Sequence, residues 1–374
     1  MSSISSINRL YHNWWKNIDK TIFFLITFLF SLGLFFSLVS TSLVASDKLE
    51  MNNYFFFFKH LSYILIGTSV LIFFSLLSEK NLFKISIYLF FISLFFLFLV
   101  PIIGTEVKGS KRWLDLFFLP RFQPIELIKP FTIILLASIL SSEKNVNVYF
   151  KYFFSFAAIV PIIFLLMIQP DIGQTLLIFL SWLTLVFISG ISLLVFLTFF
   201  GFSIVSLLYM VFLIPKFEYI KNRILSFVDP SSGTHNFQSE KAIDAITNGG
   251  FFGKGIGEGT LKNRVPEAHT DYIISVISEE FGVVVIILLL FIFLFFVYSV
   301  FKKIDLQNDE KIKLVLVGSI TLIVSQVLIH IGVNIRLFPT TGMTLPFLSN
   351  GGSSIVGVSI LSGIILNLTK RKVN

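Results

Sequence analysis

Apolar residues in this chain follow one another in runs of about twenty, long enough to cross the hydrocarbon core of a bilayer as a helix. In lipid such a run has no water to pair its amides and carbonyls, so it must close its hydrogen bonds within itself. A transmembrane barrel would require alternation between lipid-facing and lumen-facing residues, and these runs do not alternate. The sequence therefore predicts an all-α, polytopic integral membrane protein. About ten spans are expected, centred near Phe30, Ile66, Leu94, Leu135, Ile159, Leu180, Phe202, Leu290, Val324 and Ser359. Composition agrees: 55% of the 374 residues are hydrophobic and only 13% charged, more apolar matter than one soluble core encloses. The 47 phenylalanines read as lipid-facing filler, the run Phe55 to Phe58 included. Cysteine is absent, which excludes disulfides and thiolate metal sites. The first run, from Thr21, is full length and is expected to stay as an anchor, not to be cleaved as a signal.

Three stretches are too polar to span: Glu106 to Gln123, Pro215 to about Ala268, and Arg336 to Asn350. An even number of spans puts both termini on one side and these three loops on the other, all within a single membrane domain covering 1–374, with a tail at 1–20 and loops at 106–123, 215–268 and 336–350. The 29 Lys and Arg divide almost evenly between the sides, so total charge does not orient the chain. Short basic segments count more than long loops. Arg9, Lys16 and Lys20, the turn at Lys302 to Lys313, and Lys370 to Lys372 point to cytoplasmic termini in a bacterial inner membrane.

That orientation leaves many cations outside: Lys108, Lys111, Arg112 and Arg121 in one loop, and Lys216, Lys221, Arg223, Lys241, Lys254, Lys262 and Arg264 in another. They read either as solvated loop charges or as fixed cations that draw an anionic substrate to the membrane surface. Nucleic acid is not expected as a partner. The largest loop, between the seventh and eighth spans, has two amphipathic helical pieces and the cluster GGFFGKGIGEG, which matches no phosphate-loop spacing and reads as flexible turns.

Polar residues near the spans carry the chemistry. In QPIELIKP, Glu126 and Lys129 share a helical face and can neutralise each other, either at the interface or in a polar cavity. In QPDIG, Asp171 reads chiefly as a helix cap. The segment VPEAHTDYIISVISEEFG packs Glu267, His269, Asp271, Glu279 and Glu280 at the entry of a span, with Asp271 and Glu279 able to share a face. No second ligand pair supports a zinc site at Glu267 and His269, and no nucleophile motif appears. Asp271, His269 and the Glu126–Lys129 pair remain as acid/base candidates, with Asp271 either base or cap and its pKa expected to rise on partial burial.

Four segments together resemble one family, the SEDS proteins of shape, elongation, division and sporulation: KGSKRWLDLFFLPRFQPIELIK, QPDIGQTLLIFLSWLTLVFISG, RILSFVDP through to ISEEFG, and FPTTGMTLPFLSNGGSS. The wording of GEGTLKNRVPEAHTD and TLPFLSNGGSS is more similar to the division branch than to the elongation branch. Asn350 and Thr341 depart from the pattern, standing where Tyr and Lys are common. The resemblance implies a peptidoglycan glycosyltransferase that joins lipid II to a glycan on undecaprenyl pyrophosphate during septal division, partnered by a class B penicillin-binding transpeptidase and other divisome proteins. It implies Asp271 as the essential acid, with Arg112, Trp113, Gln123, Glu126, Lys129, Glu267 and His269 around the substrate. It names no cofactor with certainty, and a divalent cation beside the pyrophosphate is compatible with it. A lipid II flippase, an elongation polymerase and a non-catalytic scaffold are the alternatives.

Overall fold

The computed structural model describes residues 12–41, 55–107, 110–116, 119–142, 148–228, 237–261 and 265–371. Ten apolar helices occupy the expected runs: α1 (Lys20–Thr41), α2 (Phe55–Leu76), α3 (Glu79–Ile103), α4 (Pro124–Leu140), α5 (Val148–Ile168), α6 (Ile172–Ile188), α7 (Leu193–Leu213), α10 (Ile273–Ile304), α11 (Glu310–Asn334) and α12 (Gly352–Leu368). Two polar helices, α8 (Glu218–Val228) and α9 (Phe237–Gly249), lie in the large loop where amphipathic pieces are expected. Seven of the described helices are long and apolar enough to cross a membrane. Helices α4, α6 and α12 have 17 residues each and are mostly buried by their neighbours, so protein rather than lipid sets their length.

The all-α expectation holds, with one small addition in one of the polar loops. Residues treated as a plain loop form a small antiparallel meander, β1 (Thr105–Val107), β2 (Ser110–Leu116) and β3 (Leu119–Phe122), ordered β1-β2-β3. β1 and β3 are too short for alternation to register, β2 does not strictly alternate, and the sheet is pinned to the helices by the fully buried Leu114.

Close packing fixes the centre. Helix α12 lies against α2 and α4 through small residues, as helices do where lipid supplies no hydrophobic drive. A Cβ on Gly357 would sit 2.4 Å from the Glu126 carbonyl, so only glycine lets α12 approach α4 there. At one end, Lys303 pairs with Asp19 at 2.6 Å, the Arg371 amide donates to the Asn17 carbonyl at 2.9 Å, and Gln307 donates to the Leu368 carbonyl. The two terminal segments and the α10–α11 turn therefore share a side, and the three polar loops gather at the opposite one.

Helix α10 is broken at Gly282, whose φ of 79° is open to glycine and costly for other residues. The glycine cluster repairs the break. Lys254 and Gly255 amides donate to the Glu279 and Glu280 carbonyls at 2.9 and 3.0 Å, and Val283 and Val284 amides donate to the Gly250 and Phe251 carbonyls at 3.0 and 3.3 Å. The buried Glu279 carboxylate accepts from Asn248 and from the Leu261 amide, and Glu280 accepts from the Gly257 amide. The cluster expected to be flexible turns is thus a clip that satisfies a helix break beside lipid.

Candidate active site

A cavity of about 1100 Å³ opens at the end where the polar loops gather. Its lining includes Arg112 and Trp113 from β2, Gln123 and Glu126 at the start of α4, Glu267, His269 and Asp271 before α10, and the loop after α11. Lys59, Arg121 and Arg223 add positive charge to the same wall. Of the other loop cations, Lys241 pairs with Asp244 at 2.9 Å, and Lys108, Lys262 and Arg264 lie outside the described residues.

Of the eight residues proposed from sequence, seven line this cavity and Lys129 does not. Lys129 lies one helical turn deeper, buried beside a void of about 20 Å³. It pairs with Glu126 Oε2 at 2.8 Å and donates to Gln326 Oε1 at 3.1 Å. Glu126 Oε1 accepts from Gln174 at 2.7 Å. Gln326 in turn donates to the Thr344 carbonyl at 2.9 Å, and the Thr344 hydroxyl lies 2.6 Å from that of Ser354. The pair is therefore buried, and Lys129 is linked to the cavity lining through Glu126 and, by way of Gln326, through Thr344 and Ser354.

Arg112 is held by the α5–α6 turn. Its guanidinium donates to the Gln169 and Pro170 carbonyls and lies 3.6 Å from Asp171 Oδ2. Asp171 also accepts from the Gln123 side chain at 3.1 Å and caps α6 by accepting from the Gln174 amide. The expected capping role is present, and the same carboxylate ties two cavity residues to one point.

Asp271 is half-buried, one residue before the N-cap of α10, which is Tyr272. The capping position thus falls to its neighbour. A Cβ on Gly342 would lie 3.4 Å from Asp271 Oδ2 and 4.0 Å from Arg112 Nη1, so the carboxylate and the guanidinium face the same glycine. Gly342 has a φ of 71°, which favours glycine at that contact. Burial pushes the Tyr272 phenol well above its usual pKa; the Asp271 charge adds to the shift and Arg223 opposes it. Glu279 does not share the cavity with Asp271, because the glycine clip takes it up.

The family model of the FtsW, RodA and SpoVE proteins, described as cell cycle protein, matches residues 19–374. The chain belongs to this family. The probable peptidoglycan glycosyltransferase FtsW of Caulobacter vibrioides is 31% identical over 367 residues, covering 96% of this chain and 91% of that protein. Its counterpart in Nitrosomonas europaea is 33% identical over 362 residues, covering 94% and 92%. A solved structure described as "structural coordination of polymerization and crosslinking by a peptidoglycan synthase complex" matches with a TM-score of 0.77 at 26% identity, over 94% of this chain and 97% of that one. The rod shape determining protein RodA of Thermus thermophilus matches with a TM-score of 0.69 at 24% identity, over 94% and 96%, and shares the fold. The multi-pass helical membrane fold expected from sequence is therefore the fold of this family.

Sequence reasoning missed how the His269–Thr270–Asp271 segment is held. The Asn350 amide donates to the His269 carbonyl at 3.0 Å, the Ser349 hydroxyl to the Thr270 carbonyl at 2.6 Å, and the Asn334 side chain to the Asp271 carbonyl at 3.2 Å. From the other side, the Glu267 carbonyl accepts the amides of Thr270, Asp271 and Tyr272. Buried Asn334 at the end of an apolar span is the one signal that pointed there. Ser349→Ala is expected to cut turnover about tenfold with little change in the substrate concentration for half-maximal rate, because it loosens the loop without touching ligand. Steady-state kinetics on the purified variant check this.

Among the described residues no three His, Cys, Asp or Glu side chains converge as a metal cage. Those donors do not fit a resident metal held by protein alone.

Proposed function

We infer that this chain is a peptidoglycan glycosyltransferase that polymerises lipid II at the outer face of the bacterial inner membrane during septal division. The observation that carries the reading is the half-buried Asp271 facing Gly342 together with Arg112, in a cavity lined by four cations. The donor is a glycan on undecaprenyl pyrophosphate, and the acceptor is the 4-hydroxyl of a second lipid II. Asp271 accepts the hydroxyl proton as the oxygen attacks the anomeric carbon, and the bond from that carbon to the pyrophosphate oxygen breaks. The electron pair leaves with the pyrophosphate, whose charge is met by Lys59, Arg121 and Arg223. Arg112, already committed to Asp171 and two carbonyls, adds a fixed positive field. The FtsW names of the relatives support the division role over the elongation alternative.

A flippase needs a polar path through the bilayer. The void beside the Glu126–Lys129 pair is only about 20 Å³, and beyond the polar Gln326 and Ser354 it is lined by Pro130, Leu322, Ile323, Val358 and Leu361, which favours a surface enzyme. The fold neighbour described as coordinating polymerization and crosslinking supports a class B transpeptidase as partner. Purified protein and its cognate transpeptidase, given labelled lipid II, test the reading: glycan strands are expected, and their absence with an active partner overturns it.

Cytoplasmic termini belong to the same reading. With Lys254→Cys and Lys372→Cys introduced singly into this cysteine-free chain, an impermeant outside reagent is expected to label the first only. Position 372, like Ser2, lies outside the described residues.

A further inference from the structure

The glycine clip carries a surface that catalysis does not use. Phe251, Phe252 and Ile256 are 75%, 85% and 64% exposed, with the exposed Lys254 between them. Their backbone is nevertheless fixed, because the clip exchanges four main-chain hydrogen bonds with α10 on either side of Gly282. Those bonds set the height of the loop along the helix. From Val283 to Lys302 α10 runs 20 residues, about 30 Å, the thickness of a bilayer hydrocarbon core. Lys302 and Lys303 mark one boundary of that core by their charge, so the break at Gly282 falls at the other. Below the break, Val284, Ile287, Leu288, Phe291 and Leu294 are exposed along α10 as a lipid-facing stripe. The Phe251 carbonyl accepts from the Val284 amide, so the aromatic tip continues that stripe at the level where aromatic side chains collect in membranes.

We propose that Phe251, Phe252 and Ile256 insert into the leaflet on the cavity side and dock the large loop on phospholipid. Each ring takes about 150–250 Å² of surface out of water, and Lys254 reaches up to the headgroups on its aliphatic stem. Helix α9, which leads into the clip, begins at Phe237 on the cavity wall, so the foot holds the rim of the cavity at headgroup height. The inference needs only a chain that spans the bilayer and stands apart from the catalytic assignment.

The absence of cysteine gives a direct test. Full-length Phe252→Cys carrying an environment-sensitive NBD label is placed in vesicles of phosphatidylethanolamine and phosphatidylglycerol. Its emission is expected to be blue-shifted and to fall about twofold or more when the acyl chains bear a spin label near the headgroup end. Ile287→Cys, exposed on α10 about one turn below the break, should be shielded likewise, and Lys111→Cys on β2 should not. Ile256→Cys repeats the measurement at a second clip position in case the first variant folds poorly. Emission at both clip positions that stays as unquenched as at Lys111→Cys overturns the proposal. Shielding that appears only on adding the transpeptidase, or only at high protein density, also overturns it, since the foot then docks on protein.

Discussion

Asp271→Asn is expected to leave the chain inserted, folded and bound to its transpeptidase while polymerisation of lipid II falls by about 10²–10⁴-fold, the range that a positioned general base supplies. Structural cost is limited because main-chain bonds that Asn retains hold residue 271: its amide donates to Glu267, and its carbonyl accepts from Asn334. The N-cap position of the helix is Tyr272, not residue 271. Asn keeps the shape and loses the ability to accept the acceptor's proton. His269 is the rival base, but its ring centroid lies 5.1 Å from that of Phe56, tilted by 46°, and its carbonyl is clamped by Asn350, an arrangement that suits a wall residue. Labelled lipid II resolved by gel gives the rate, and thermal melting in detergent reports the fold. An Asn variant that keeps more than about a tenth of the wild-type rate removes Asp271 from the role of base.

The large features of the fold were legible because lipid makes composition decisive: a run such as Leu193–Leu213 has no other way to satisfy its backbone than as a helix. Seven of the proposed site residues meet in one cavity for a related reason, since charged and amide side chains beside apolar spans are costly unless something polar receives them. What escaped the sequence is carried by the main chain. The three carbonyls clamped by Asn350, Ser349 and Asn334, and the amides of the clip that repair α10 at Gly282, leave no mark in hydropathy or charge. The meander at 105–122 was missed because β1 and β3 have only three and four residues and β2, SKRWLDL, does not strictly alternate apolar with polar. Lys129 was misplaced by one turn: its partner at i−3 was correct, but helical spacing alone cannot say which of the two faces water and which faces α11.

That one-turn difference shapes the second large effect, expected for Lys129→Met. The change leaves Glu126 buried with no counter-charge within reach, a situation that costs about 3–5 kcal/mol if the carboxylate stays ionised. The contact of Glu126 with Gln174 is then recast. Gln326 loses the ammonium that orients its carbonyl oxygen, and with it the geometry of Thr344 and Ser354 on the cavity floor. Melting temperature and polymerisation should therefore both fall, polymerisation by about tenfold or more. Stability and function separate in the double variant Glu126→Gln/Lys129→Met, which buries two neutral groups in place of an ion pair and should regain most of the lost melting temperature. Polymerisation should not return with it, because the introduced amide cannot present a carboxylate to the cavity and the Gln326 link to the floor is still missing. Recovery of both together would make the pair a packing device, and recovery of neither would place its main role in holding α4, α6 and α11 together.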